Sequence, residues 1–326
     1  MKNFSPYTDL ALEAAEKLTF DADGKADGVE VVKEDCELPD TVVNWVKITD
    51  TVGAQSLGKP IGNYITIESP YMKINDPDAH KRITELLCKY LLKLHKLDDN
   101  ASVLVVGLGN RRVTPDALGP RVAGKVLVTR HIRDSIPYMA EDEMRSVAAV
   151  SPGVLGITGI ETLEIIRGIV DRVQPEIVIA IDALAARRAS RINATIQMSD
   201  TGVCPGAGVG NRRNALNAET LGVPVIAIGV PTVVDAATLV NDTLDIILGD
   251  MENHSELNND FYKTLRELSP EEKYELICRI LQPYTENMFV TPKEVDEIIN
   301  MLVEIISESL NNALHPTLRT QGFKIY

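Results

Sequence analysis

Cysteine and histidine are scarce and scattered in this chain of 326 residues. The four cysteines, Cys36, Cys88, Cys204 and Cys278, form no C-x-x-C, and the five histidines, His80, His95, His131, His254 and His315, stand apart from them. No zinc-type ligand spacing results, so neither a metal nor a cofactor is expected. No apolar run approaches the about 18 residues that span a bilayer. The opening MKNFSPYTDLALEAAEKL lacks the apolar centre of a signal peptide, which makes a reducing cytoplasm the natural compartment. Basic surplus is missing too: 33 basic residues face 47 acidic ones, a net charge of −14. A surface for nucleic acid or an anionic membrane needs the opposite balance, so neither partner is expected.

What is present is ordinary for a globular protein, with 44% apolar and 25% charged residues. Residues 1 to about 27 are polar and end in DADGKADG, which reads as a loosely attached leader. Strand-like runs follow at 29–32, 41–49 and 63–69. Ile83, Leu86, Leu87, Tyr90, Leu91 and Leu94 then recur with helical period. Beyond them strand 102–107 leads to a helix near Ala117 or Leu118. Helix 160–173 feeds strand 176–181, and strand 224–229 feeds helix 234–248. Those three strands are continuous apolar runs, the mark of parallel strands covered on both faces. The order predicts an α/β fold, a doubly wound, mostly parallel sheet with helices on both faces. In the helical C-terminal part, TPKE (291–294) reads as a capping box with Pro292 at the first helical position, ahead of a stripe of Val295, Ile298, Ile299, Leu302 and Ile306.

The stretch VVGLGNRRVTPDALGP (105–120) has the outline of a dinucleotide-binding turn, but Arg112 stands where the third glycine belongs. The segment TRHIRDS that follows does not resemble the end of a buried strand carrying a ribose-binding acid. The turn presents Asp116 instead. Asp182, in VIAIDALAARR, ends the predicted strand 176–181. In open α/β sheets, ligands bind beyond the carboxyl ends of the strands, so both acids emerge on that edge. Two carboxylates sharing a site cannot both ionise without penalty, and one tends to hold a proton. Such a pair can activate water as base and protonate a leaving amine as acid. The plainer assignment for each aspartate is a helix N-cap. Two Gly-rich loops adjoin, SPGVLGITGIE (151–161, with Gly159) and CPGAGVGNRR (204–213), whose amides suit a peptide backbone or a developing oxyanion. Arg111, Arg112, Arg187, Arg188, Arg212 and Arg213 cluster near these strand ends, where a guanidinium would match an acidic side chain. Cys204 has no histidine near it in sequence to serve as its base.

In order, LVVGLGNRRVTPDALGP, SPGVLGITGIET, IAIDALAAR and GAGVGNRR resemble the germination endopeptidases of bacterial spores, over nearly the whole chain. The resemblance implies a zymogen that processes itself and then cuts the small acid-soluble proteins coating spore DNA, in the spore core. It implies a homotetramer, and it puts the two catalytic aspartates on Asp116 and Asp182. Family members cut after an acidic residue, usually glutamate, which nominates Arg112 and Arg213 to read that acid and the loop at Gly159 to hold substrate. The family's substrate segment runs Thr-Glu, then an aliphatic residue or Phe, then Ala. Thr8-Asp9-Leu10-Ala11 is close to it, so the implied self-cleavage lies between Asp9 and Leu10. Residues 1–9 are then a propeptide and 10–326 one catalytic domain. The fold implied is similar to that of hydrogenase-maturing endopeptidases, which hold a metal with two acids and a histidine. No histidine lies between His131 and His254 here. That favours a metal-free aspartic mechanism over the alternative, a metal-dependent peptidase or maturation protease on the same fold, for which Asp235 would be the spare ligand.

Overall fold

The computed structural model describes residues 8–21, 23–135, 145–206, 214–252, 267–285 and 288–315. Among the described residues ten strands form one sheet: β1 (Lys25–Ala26), β2 (Val29–Asp35), β3 (Val42–Ile48), β4 (Gly62–Glu68), β5 (Ser102–Gly107), β6 (Ser146–Val150), β7 (Ile177–Ala186), β8 (Thr195–Ser199), β9 (Val225–Asp235) and β10 (Phe289–Val290). Their order is β1-β2-β3-β4-β8-β9-β7-β5-β6, with β10 against β9. The runs read as parallel strands are parallel: β5 lies between β6 and β7, and β7 continues to β9. The sheet as a whole is mixed, because β1 to β4, β8 and β10 join it antiparallel.

Both faces are covered, and the strands alternate between them. Val103, Val105, Ile177, Ile179 and Ile181 pack with helices Pro77–Leu94, Leu118–Ala123 and Val295–Leu314. Leu104, Val106, Val178 and Ala180 turn the other way, onto helix Thr162–Val173. This is the arrangement the apolar runs require, since successive side chains point to opposite faces and neither face meets water. Among the described residues no helix is long and apolar enough to cross a membrane.

Four expectations need correction. β7 does not stop before Asp182. It pairs with β9 from Val178↔Val225 to Ala186↔Val234, with an irregularity at Leu184/Ala185, so Asp182 lies inside a strand opposite Gly229. β9 likewise runs on to Asp235. The TPKE capping box does not form: Glu294 is the N-cap of helix Val295–Leu314, without a side-chain cap. Pairing of Phe289 and Val290 with β9 keeps the chain extended there, and the Thr291 hydroxyl donates to the Thr232 carbonyl at 2.9 Å. Finally, the leader is not loosely attached from residue 8 onward. Leu10 is buried with Leu184, Ala186, Ile192 and Val234, while Ala11, Leu12, Ala14 and Ala15 of the helix Ala11–Ala15 pack on Val29, Val46, Ile48 and Tyr64.

Candidate active site

After β5 the chain holds to its neighbour for one more residue, the Leu108 amide donating to the Ile181 carbonyl at 2.8 Å. It then turns at Gly109, whose φ of +111° suits glycine. A Cβ on Gly109 would lie 2.1 Å from the Asp116 carbonyl oxygen and 2.8 Å from its Oδ1. The missing side chain is what lets the 3-10 turn Thr114–Asp116 fold back over the strand end. The Asn110 amide donates to Asp116 Oδ2 at 2.7 Å and fixes the carboxylate, which is half-buried. Gly119 presses the following helix onto β7; a Cβ there would stand 2.4 Å from the Ile181 carbonyl.

Neither aspartate is a helix cap. Helix Leu118–Ala123 starts from Ala117 with no side-chain cap, and Asp182 is a strand residue. Asp182 is only 5% exposed. Its Oδ1 accepts the Ala183 amide at 2.9 Å. Burial raises its pKa well above the ordinary aspartate value, and the charges of Asp116 and then Asp9 raise it further, against the opposing Ala183 amide. Asp182 and Asp116 are thus close enough to feel one another. Both line a cavity of about 490 Å³ with Gly153, Val154, Gly206 and Phe289. Asp182 also lines a second cavity of about 420 Å³, shared with Thr8, Asp9, Lys59 and Gln197.

The leader reaches this second cavity at Thr8 and Asp9. The Asp9 amide donates to the Ala185 carbonyl at 3.0 Å, and the Ala185 amide donates to Asp9 Oδ2 at 2.8 Å. The Asp9 carbonyl accepts Lys59 Nζ at 2.9 Å and Gln197 Nε2 at 3.3 Å. Gln197 Oε1 accepts the Ala11 amide at 2.7 Å, and the Leu10 amide donates to Thr8 Oγ1 at 3.0 Å. Burial lowers the pKa of Lys59, opposed by the charges of Asp9 and Glu13. Glu13, 1% exposed, accepts the amides of Arg187 and Arg188 at 2.7 and 2.9 Å and the Thr8 hydroxyl. Arg191 stands 3.4 Å from Glu13 and also pairs with Glu16 and Glu68, at 2.7 and 2.6 Å.

The other nominated residues are less central. Arg112 is exposed, its amide bonded to Asn110 Oδ1 at 3.0 Å, and it does not line the cavity. Arg213 lies outside the described residues. Gly159 closes the short helix Leu155–Thr158 at φ +72° and is exposed, whereas Gly153 and Val154 of the same loop do reach the cavity. Asp235 is engaged elsewhere, its Oδ2 accepting the Thr238 amide and hydroxyl and the Tyr274 hydroxyl. Among the described residues no group of three or more His, Cys, Asp or Glu side chains is placed to hold a metal ion. Sequence reasoning missed Lys59, Gln197 and Glu13. Gln197 stands in the five-residue strand TIQMS, too short for its pattern to mark it in the sequence.

The family model for germination protease matches residues 8–267 and 249–326. This chain belongs to the germination protease family. It is 49% identical over 311 residues to the germination protease of Caldanaerobacter subterraneus subsp. tengcongensis, covering 95% of this chain and 94% of that one. The germination protease of Clostridium tetani is 46% identical over 322 residues, 99% of each chain. That of Bacillus anthracis is 42% identical over 350 aligned positions, 97% of this chain and 95% of that one. Among solved structures, a NiFe hydrogenase maturation protease from Thermococcus kodakarensis aligns with a TM-score of 0.33 and 16% identity, over 68% of this chain and 99% of that one. Membership in the germination protease family makes the chain a peptidase.

Proposed function

We propose that this chain is a germination endopeptidase that hydrolyses peptide bonds with the pair Asp116 and Asp182. The observation that carries the reading is Asp182 itself: a buried carboxyl, biased toward its protonated form, beside a second carboxylate and opening onto a cavity. In this assignment Asp116, oriented by the Asn110 amide, takes a proton from water as the water oxygen adds to the scissile carbonyl carbon. Asp182 supplies the proton that the leaving nitrogen needs. The chain is made as a zymogen and cuts itself between Asp9 and Leu10. Its substrates are the small acid-soluble spore proteins, its place is the spore core, and it assembles as a homotetramer. The docked leader supports the processing step, because Asp9 lies near enough to Asp182 for its charge to act on that carboxyl. The test is Asp116→Asn and Asp182→Asn, each of which should lower proteolysis at least about 10²-fold with circular dichroism unchanged. Near-wild-type cleavage by either folded variant removes that residue from the mechanism.

A further inference from the structure

The contacts around Asp9 reach beyond docking. Its carbonyl oxygen has two side-chain donors, the Lys59 ammonium at 2.9 Å and the Gln197 amide at 3.3 Å. The same Gln197 side chain accepts the Ala11 amide, so it grips the chain on both sides of Leu10. The carbonyl is that of the bond assigned to self-cleavage, and the cavity holding it is also lined by Asp182.

We propose that Lys59 and Gln197 are catalytic residues of self-processing, forming the clamp that binds the Asp9 carbonyl and stabilises the oxyanion that develops there. This rests on the proposed roles of Asp116 and Asp182 and on the Asp9–Leu10 bond. When the oxygen of water bonds to the Asp9 carbonyl carbon, negative charge moves onto the carbonyl oxygen. A cation and an amide already aimed at that atom stabilise the charge without reorganising. The carbon–nitrogen bond to Leu10 then breaks. A proton passed through the aspartate pair goes to the Leu10 nitrogen, leaving a carboxyl at residue 9 and a free amine at residue 10. No oxidant or further reactant is needed. Leader docking does not depend on the clamp alone, because the Ala185 and Glu13 contacts hold the segment on either side of it.

Lys59→Met removes the ammonium and keeps most of the stem. In the full chain, intact-mass analysis should find cleavage at Asp9–Leu10 slowed at least about 10²-fold, the effect of losing one oxyanion donor. Melting temperature and hydrogen-exchange protection of residues 9–16 should stay at wild-type values. Gln197→Leu should also slow cleavage, with protection of the Ala11 amide lost. A wild-type rate in Lys59→Met overturns the clamp. So does a slow rate that merely follows loss of leader protection, which would make Lys59 a docking residue, and so does a mature terminus other than Leu10. Should Lys59→Met not fold, Lys59→Leu, which also lacks a donor, carries the same test with the same overturning results. Asp182→Asn is run beside them. If it still processes, the aspartate reading fails; if it is inert while Lys59→Met is not, only the clamp fails.

Discussion

Glu13→Ala should detach the leader while leaving the remainder of the fold in place. Glu13 is buried and accepts the backbone amides of Arg187 and Arg188 at 2.7 and 2.9 Å, together with the Thr8 hydroxyl. Hydrogen bonds to a charged partner contribute about 1.5–3 kcal/mol each, so the two amide bonds alone represent roughly 3–6 kcal/mol. The lower end applies here. Arg191 keeps Glu16 and Glu68 at 2.7 and 2.6 Å, so truncation does not strand its guanidinium. Arg188 is also exposed enough for water to replace part of the loss. About 3 kcal/mol corresponds to roughly a 10²-fold shift in the docking equilibrium. Hydrogen exchange reads that shift directly. Protection factors for residues 9–16 should fall about 10²-fold in Glu13→Ala and less in Glu13→Gln, which keeps the shape and one acceptor. Protection in β5 and in the Ile177–Ile181 part of β7, which makes no bond to the leader, should not change. Wild-type protection of the leader in Glu13→Ala would refute the anchor, as would a larger loss in the Gln variant than in the Ala variant.

Three further outcomes are expected. Asp182 has a folded pKa raised above its unfolded value, so both states are protonated in acid and the ionised form is disfavoured only in the fold. Its presence therefore lowers stability progressively as pH rises above about 4, up to the folded pKa. Asp182→Asn should accordingly melt higher than wild type at neutral pH, with the gain gone below about pH 4; a difference independent of pH would contradict the assignment. Gly109→Ala should lower activity sharply in a protein that still folds, since the added Cβ would collide with Asp116 at 2.1 Å; unchanged cleavage kinetics would mean that the turn tolerates the displacement. Exhaustive treatment with EDTA or phenanthroline should leave proteolysis intact, and activity restored by one specific divalent ion after such treatment would favour the metal-dependent alternative.

Much of the framework was legible in the chain alone. The runs SVLVVG, EIVIAI and PVIAIG read as strands shielded on both faces, and they are the parallel centre of the sheet. The helical stripes from Ile83 and from Val295 cover one of its faces. The motifs also singled out Asp116 and Asp182. The short strands β6 and β8 escaped because five residues carry too little pattern to separate a strand from a loop, and with β8 went Gln197.

Tertiary structure decided the rest. How far β7 runs past Ile181 depends on β9 lying alongside it, and that pairing turns Asp182 from a strand-end residue into a buried one with a raised pKa. The polar opening segment looked detached because its acids are individually expensive to bury. Glu13 becomes buriable only where the Arg187 and Arg188 amides at the end of β7 converge with Arg191, residues more than a hundred positions away. Local sequence specifies which residues can form a strand or carry a proton. Where the solvent is excluded, and hence which carboxyl keeps its proton and which carbonyl meets a lysine, is set by contacts between segments that sequence proximity does not encode.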